Sequence, residues 1–132
     1  YNTIGRHQSR MVRTRVASDL SPWLSGVRGG ETSTVPISHG EGRFLASEAL
    51  LQDLARHGQI ATQYVDGEGR PTLDDAWNPN GSLWAVEGIT SPDGRVFGKM
   101  GHSERIGPKL YRNVPGDYDM KLFRSAVRYF RK

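Results

Sequence analysis

A histidine and a glutamate stand two positions apart in the stretch VFGKMGHSERIG, residues 96–107. A carboxylate that hydrogen-bonds one ring nitrogen of a histidine fixes the tautomer and leaves the other nitrogen free to act as a base. Residues two apart along a strand share a face, so the spacing lets His102 and Glu104 meet if the chain leaves the strand here. The alternative is a surface histidine held in an ion pair, because motifs this short arise often by chance.

A base of this kind commonly serves a cysteine, since it generates the thiolate that acts as nucleophile. The chain has no cysteine among its 132 residues. Disulfides and thiolate metal sites are therefore excluded, and the composition is compatible with a cytosolic protein. The sequence thus offers a base with its orienting carboxylate but no thiol for the pair to serve.

A second candidate site is the string ISHGEGRF at residues 37–44, which follows a β-branched segment. Its two glycines let the backbone approach a ligand closely, and peptide N–H groups exposed at a strand end bind anionic groups. The alternative is a glycine-rich turn with a hydrogen-bonded histidine. A metal hydrolase built from His39, Glu41 and His102 is a further hypothesis, but only two of these residues are adjacent and catalytic zinc needs three protein ligands. We predict no metal site.

The strands that must position these residues are predicted from alternation and from turn formers. Five are expected, at residues 11–17, 34–38, 59–66, 85–90 and 96–101. In the first of them Val12, Thr14 and Val16 face one way, as in a half-exposed strand. Pro36 removes a ladder donor from the second, which predicts an edge strand. The last two form a hairpin around the turn SPDGR.

Two helices are predicted from apolar residues at helical spacing. The first begins after the N-cap Ser47 and ends at Gly58, and its buried stripe is expected at Leu50, Leu51, Leu54 and Ala55. The second closes the chain after Asp117 or Asp119 as cap. Its apolar positions are Leu122, Phe123, Ala126, Val127 and Phe130.

Strands dominate and helices occur at intervals, which predicts an α/β domain with one mixed sheet and helices on its faces. A length of 132 residues suits one domain. The order is strand-heavy for a complete doubly wound domain and is typical of the second half of one. Half a sheet would leave an open edge and an apolar face, so we expect a dimer through that edge, strand exchange that covers it, or else marginal stability.

Positive charge collects at both ends of the chain, whose formal net charge is +4. The basic residues there are Arg6, Arg10, Arg13, Arg15, Arg124, Arg128, Arg131 and Lys132. A nonenzymatic basic module that binds RNA or a protein partner is one hypothesis. No nucleic-acid motif accompanies the charge, which favours a solvated or docking surface, and we predict no nucleic-acid partner. We predict no membrane contact either, because no apolar run approaches the roughly 20 residues of a span.

Four strings in one order, ISHGEGRF, QYVDGEGRPT, NPNGS and GKMGHSER, resemble the C-terminal part of the glutaminase domain of phosphoribosylformylglycinamidine synthases. The resemblance covers essentially the whole chain and is greatest to the long single-chain form, which carries its glutaminase at the C-terminus. It implies the flavodoxin-like α/β fold of class I glutamine amidotransferases with a Cys-His-Glu triad. Residues 1–132 would be the C-terminal portion of that single domain.

The resemblance places the triad base on His102 and its orienting carboxylate on Glu104. The α-carboxylate and α-amine of glutamine would be held by the segment Ser38, His39, Gly40 and Glu41. The nucleophile of the family lies on a strand-to-helix turn that precedes everything present here, which accounts for the missing cysteine. A substituted active site is the other explanation, but no such turn is present to host it. Many members carry proline where this chain has Ser103, and proline stiffens the backbone.

The resemblance further implies an ATP-dependent carbon–nitrogen ligase that uses glutamine as amide donor. Ammonia would pass to the synthetase domains of the parent chain, which would use ATP and magnesium to amidate formylglycinamide ribonucleotide in purine biosynthesis. This chain itself would hold no cofactor, would be inactive alone, and would belong to a cytoplasmic enzyme. The NPNGS turn at residues 78–82 resembles a family loop, and a purely structural role for it remains open because its residues are turn formers.

Overall fold

The computed structural model describes residues 1–131. Within them the chain forms five strands, β1 Gln8–Val16, β2 Thr32–His39, β3 Ile60–Tyr64, β4 Val86–Thr90 and β5 Phe97–Lys99. It also forms the helices α1 Glu48–Arg56 and α2 Leu122–Phe130, with short 3-10 turns at Pro22–Leu24 and Leu83–Ala85. Every predicted strand and helix is present, with ends shifted by several residues. Lys132, part of the basic-module hypothesis, lies outside the described residues.

The strands form one sheet in the order β2-β1-β3-β4-β5, and within residues 1–131 every ladder between them is antiparallel. This differs from the mixed sheet predicted from the sequence. The helix α1 connects β2 to β3, and these two strands do run parallel, but β1 lies between them and is antiparallel to both. The helix between β2 and β3 therefore correctly indicated that the two strands run in the same direction, but it did not mean that they are hydrogen-bonded to each other.

The sheet curls until its two ends meet. Ile37 on β2 forms an isolated antiparallel bridge with Gly101, just beyond β5. The N–H of His102 then donates to the C=O of Pro36 at 2.8 Å. Pro36 lies in an end strand of the ladder, as predicted, but the chain after β5 covers the outer side of β2. The open edge expected there is consequently partly closed.

The core follows the alternation predicted for β1, in which Val12, Thr14 and Val16 are all buried. Apolar side chains gather in three clusters, one among β1, β2 and β3, one beneath α2 and one beneath α1. Their buried members are Val12, Val35, Ile37, Tyr64 and Ala85, then Val16, Leu24, Ala61, Met120 and Leu122, then Leu51, Leu54, Ile60 and Val86. Both helices are thus fixed to the sheet by small patches of contact.

The first helix begins and ends as predicted, but its buried stripe is narrower. Ser47 Oγ accepts the N–H of Leu50 at 3.2 Å, and Gly58 follows the helix with a left-handed φ of 68°. Leu51 and Leu54 are buried against the sheet, whereas Leu50 is 48% exposed and Ala55 is exposed as well. The nine-residue helix touches the sheet along one line, so only two of the four predicted positions reach it.

The second helix starts later than predicted, because its N-cap is Lys121, in a left-handed conformation with φ 56° and without a side-chain cap bond. Asp119 lies before the N-cap residue, and its Oδ1 accepts the N–H of Lys121 at 2.8 Å. The buried positions are Leu122, Ser125 and Ala126. The other predicted apolar positions, Phe123, Val127 and Phe130, are more than half exposed. No helix in the described part of the chain has the length and apolar character needed to cross a membrane.

Candidate functional site

The histidine and glutamate of GHSER meet as their spacing predicts. His102 Nδ1 lies 2.7 Å from Glu104 Oε1, and the side chains are 29% and 54% exposed. A hydrogen bond from its own backbone N–H, with the His102 ring and Arg105 adding to it, lowers the pKa of Glu104. The carboxylate therefore stays ionised beside Nδ1, which leaves Nε2 as the nitrogen that can exchange a proton with a third group.

The backbone around His102 is held by the curl of the sheet. The N–H of Gly101 donates to Glu87 Oε1 at 2.6 Å, and the N–H of His102 donates to Pro36 C=O. Beyond the histidine the chain turns, with the N–H of Arg105 donating to His102 C=O at 3.2 Å. His102 consequently lies where β2 is joined to the segment after β5. The glycine-rich string is its neighbour, because Ile37, the first residue of that string, bridges Gly101.

The glycine-rich string forms a turn at the end of β2. Asn2 holds it from outside, since its Nδ2 donates to His39 C=O at 2.7 Å and its Oδ1 accepts the N–H of Gly42 at 2.9 Å. Gly40 and Glu41 are exposed at the tip of the turn. The structure therefore places the predicted segment beside His102, with its tip open to solvent. Asn2 was not recognised in the sequence, because nothing local distinguishes an asparagine 40 residues from the glycine that it holds.

The ring of His39 lies between two side-chain amides. Its Nδ1 is 3.1 Å from Asn2 Oδ1, and its Nε2 is 3.2 Å from Asn80 Nδ2. An amide oxygen accepts and an amide nitrogen donates, so the ring is neutral with its proton on Nδ1. Burial, with His7 and His102 adding to it, lowers the pKa of His39. His39 is thus suited to shaping the turn and unsuited to exchanging protons near neutral pH.

This arrangement argues against the metal hydrolase. Both ring nitrogens of His39 are engaged by amides, while Glu41 lies on the exposed tip of the turn. Across residues 1–131 no three His, Asp or Glu side chains come together as a metal site would require. The turn with a hydrogen-bonded histidine, the alternative raised for this string, is the arrangement found.

The NPNGS loop is buried behind the turn, although its composition resembles that of a surface turn. Asn78, Asn80 and Ser82 have no exposed surface. Asn78 Oδ1 accepts the N–H of Ser82 at 3.0 Å, and Ser82 Oγ accepts the N–H of Phe44 at 3.0 Å. The loop therefore supports the glycine-rich segment from below and, through Asn80, contacts the His39 ring. The same turn-forming residues occur in exposed turns and in loops whose asparagines bind buried backbone groups. The sequence therefore did not show that this loop is buried.

A cleft of about 410 Å³ borders the His102–Glu104 pair and is lined on its far side by aromatic residues, among them Trp23 and Phe123. Ser103 is buried, and its Oγ lies 3.1 Å from Met120 Sδ. Ser103 thus ties the turn to the segment leading into α2. The geometry of the pair is retained with this residue.

The terminal arginines divide into two groups. Arg10 donates to Ala76 C=O at 2.8 Å, and Arg13 donates to Gly67 C=O at 2.6 Å, so these two are engaged within the chain. Arg124, Arg128 and Arg131 are exposed on or just after α2, although Arg124 Nη2 also lies 3.8 Å from Asp119 Oδ2. Binding of RNA or a protein by this second group stays a hypothesis, and the absence of a nucleic-acid partner stays the prediction.

Comparison with known proteins gives one family across nearly the whole chain. Residues 1–130 match the model of the CobB/CobQ-like glutamine amidotransferase domains, GATase_5. The chain is 39% identical over 105 residues to phosphoribosylformylglycinamidine synthase subunit PurQ of Synechocystis, which covers 80% of the chain and 46% of that subunit. It is 36% identical over 128 residues to the PurQ subunit of Methanosarcina mazei, covering 97% of the chain and 53% of the subunit.

A solved structure shares the fold. The structure of PurLQS from Thermotoga maritima contains a chain that superposes with a TM-score of 0.71 at 26% identity, over 97% of this chain and 50% of that one. The chain therefore spans about half the length of the relatives that it matches. The small α/β fold with its curled antiparallel sheet agrees with this likeness, and with the family match over residues 1–130 it shows that the chain belongs to the family of CobB/CobQ-like glutamine amidotransferase domains.

Proposed function

We propose that this chain is the base-carrying part of the glutaminase of phosphoribosylformylglycinamidine synthase, which releases ammonia from glutamine for purine biosynthesis. The observation that carries the proposal is the 2.7 Å contact between His102 Nδ1 and Glu104 Oε1. Its position supports the proposal further, because His102 hydrogen-bonds the strand that leads directly into the Ser38–Glu41 turn. The PurQ relatives support the same activity by their names.

In this mechanism neutral His102 takes the proton of a cysteine thiol through Nε2, and the thiolate attacks the side-chain amide of glutamine. The resulting imidazolium protonates the leaving nitrogen as the carbon–nitrogen bond breaks, which releases ammonia and leaves a glutamyl thioester that water hydrolyses to glutamate. Glu104 keeps the ring oriented and stabilises its positive charge. The thiol is not in this chain and would come from the polypeptide that carries the other part of the domain.

The glutamine substrate would be held at the turn that ends β2. Backbone N–H groups and side chains of the segment would bind its α-carboxylate and α-amine, with Ser38, His39, Gly40 and Glu41 as the residues concerned. The neutral ring of His39, held by Asn2 and Asn80, supports a positioning role for this histidine. The exposed tip at Gly40 and Glu41 leaves room for a small ligand to approach the backbone.

The complete enzyme would be an ATP-dependent ligase in the cytoplasm. Ammonia would pass to synthetase domains that bind ATP and magnesium, and those domains rather than this chain would amidate formylglycinamide ribonucleotide. The relatives named above are PurQ subunits, so the proposed long single-chain arrangement rests on the resemblance of the four sequence strings. A chain without the thiol would release no glutamate from glutamine on its own.

The test compares two nitrogen sources in the full-length enzyme. His102→Ala should lower glutamine-dependent synthesis at least about a hundredfold, because general acid–base catalysis is lost, while synthesis from free ammonia is unchanged. His57→Ala is the matched control, since His57 is an exposed histidine at the end of α1 whose Nδ1 contacts Asp53. Equal loss of both routes, or survival of the glutamine route, would contradict the role given to His102.

A further inference from the structure

A buried ion pair lies directly behind the backbone that carries His102. Lys99 Nζ is 3.0 Å from Glu87 Oε1, and the two side chains are 11% and 0% exposed. The second carboxylate oxygen, Glu87 Oε2, accepts the hydroxyl of Thr62 at 2.5 Å. The pair therefore joins β3, β4 and β5, and each oxygen of the carboxylate has a partner.

Both peptide groups of Gly101 are bound by this pair. Its N–H donates to Glu87 Oε1 at 2.6 Å, and its C=O accepts Lys99 Nζ at 3.0 Å. The next N–H along the chain, that of His102, donates to Pro36 C=O at 2.8 Å. Three consecutive backbone groups are thus fixed immediately before the side chain of His102 leaves the sheet.

The fit around Gly101 is close. A Cβ at this position would lie 2.9 Å from Glu87 Oε1 and 2.8 Å from both methyl carbons of Val35. Glycine therefore allows the backbone N–H to reach the buried carboxylate between the strands. The N–H of Gly101 and Glu87 Oε1 are therefore in direct contact.

Stability alone does not explain the pair. Replacing a buried ion pair by apolar residues of similar size is often neutral or stabilising, because taking two charges out of water costs much of what their attraction gains. An apolar pair at positions 87 and 99 could fill the same space between β4 and β5, but it could not bind the N–H and C=O of Gly101. The charged pair therefore has a specific consequence for the segment that carries His102.

We propose that Glu87 is a positioning residue for His102, acting through the Gly101 peptide groups, with Lys99 and Thr62 fixing its carboxylate. The catalytic part of this inference rests on the proposed function. The positional part, that Glu87 holds the backbone at Gly101, stands on the hydrogen bonds alone. The two parts are tested by separate measurements.

The positional test is amide hydrogen exchange by NMR in the 132-residue chain. In the double variant Glu87→Met with Lys99→Met, exchange of the Gly101 amide should quicken roughly tenfold or more, as expected when a buried donor loses its acceptor. The single variant Glu87→Gln has a side chain of similar shape with an oxygen that can accept the Gly101 N–H. It should keep most of the protection of this amide that the double variant loses. The matched control makes the same substitutions in the more exposed pair Glu31 and Lys121, which lie 3.4 Å apart, and should leave Gly101 unchanged.

The catalytic test uses the full-length enzyme. The double variant at 87 and 99 should lower kcat with glutamine about tenfold, because the lost hydrogen bond at Gly101 lets His102 move from its catalytic position. KM for glutamine and the rate with free ammonia should not change, and Glu87→Gln should recover most of kcat. A merely structural role would instead reduce both nitrogen routes together.

Each outcome decides the inference. Unchanged exchange at Gly101 in the folded double variant would overturn it, and faster exchange with unchanged kcat would overturn the role toward His102. If the full-length protein has no glutaminase activity, the proposed function fails while the exchange measurement still decides the positional part. If the double variant does not fold, Thr62→Val replaces it, since it removes the hydroxyl that holds Glu87 Oε2, and unchanged Gly101 exchange there would equally overturn the inference.

Discussion

His39 and His102 lie close enough for their charges to interact, yet different side chains surround the two rings. His39 lies between the amides of Asn2 and Asn80 and is kept neutral by burial. His102 instead has the ionised carboxylate of Glu104 at 2.7 Å from its Nδ1, a contact that fixes the orientation of the ring. The first ring is therefore suited to holding a turn, whereas the proposed mechanism uses the second ring as the base.

The lowered pKa of His39 predicts a pH-dependent stability. The unfolded chain takes up a proton near the ordinary value of 6.5, whereas the folded chain does so only at lower pH. The stability associated with neutral His39 is therefore complete above pH 6.5 and is lost as the pH falls below it toward the lowered folded pKa. Urea unfolding at roughly pH 7.5 and 5.5 should show this decrease, and the decrease should be smaller in His39→Gln, which does not titrate there. An identical pH response in both proteins would contradict the environment described for this ring.

At the scale of elements, local signals were predictable and contacts between elements were not. The cap at Ser47 and the glycine that follows α1 are read from neighbouring residues, and both were predicted correctly. How far the stripe of α1 spreads depends on the angle at which the helix meets the sheet, so Leu50 was assigned to the core wrongly. The start of α2 was likewise misplaced, because Lys121 adopts a left-handed conformation that no sequence rule favours.

The candidate site shows the same division. The meeting of His102 and Glu104 follows from their spacing and the turn beyond β5, whereas the roles of Asn2 and Asn80 require contacts across about 40 residues of sequence. Glu87 had one readable signal, an acidic residue within the otherwise uncharged strand VEGIT. Its function could not be read, because the sequence does not reveal that β4 passes behind the Gly101 peptide.

The revised stripe of α1 gives a paired test. Leu51→Ala should destabilise the chain by about 2–5 kcal/mol, the usual cost of truncating a buried leucine. Leu50→Ala, one position away and half exposed, should cost less than about 1 kcal/mol. The measurement is urea unfolding followed by circular dichroism. Equal losses for the two variants would mean that the helix is rotated relative to the orientation described here.

At the scale of the whole molecule, the helix α2 carries several exposed apolar side chains. The outer side of β2 is covered by the C-terminal segment, as in the bond of 2.6 Å from the N–H of Thr34 to Asp117 C=O. Phe123, Val127 and Phe130 on α2 are each more than half exposed. Exposed apolar side chains that share one helix face favour association. The dimer expected through a sheet edge stays untested, and we predict instead that association would involve these side chains of α2.

This assignment predicts the behaviour of the isolated chain in solution. Its mass in light scattering should rise with concentration toward that of a dimer, because association removes the α2 side chains from water. Val127→Glu should shift the chain toward the monomer, whereas Arg124→Glu, which changes charge on the same helix without removing apolar surface, should not. A wild-type chain that stays monomeric at all concentrations would refute the association, and equal effects of both variants would refute its apolar origin.

The proposed mechanism requires a His102 ring that donates its Nδ1 proton to Glu104 and can accept another proton at Nε2. The most direct measurement is the long-range proton–nitrogen correlation spectrum of the imidazole at roughly pH 8.5, where ordinary histidines are neutral. The account predicts protonated Nδ1 and unprotonated Nε2 in the wild-type chain, with that preference weakened in Glu104→Gln. A ring protonated on Nε2, or a spectrum identical in the two proteins, would contradict it.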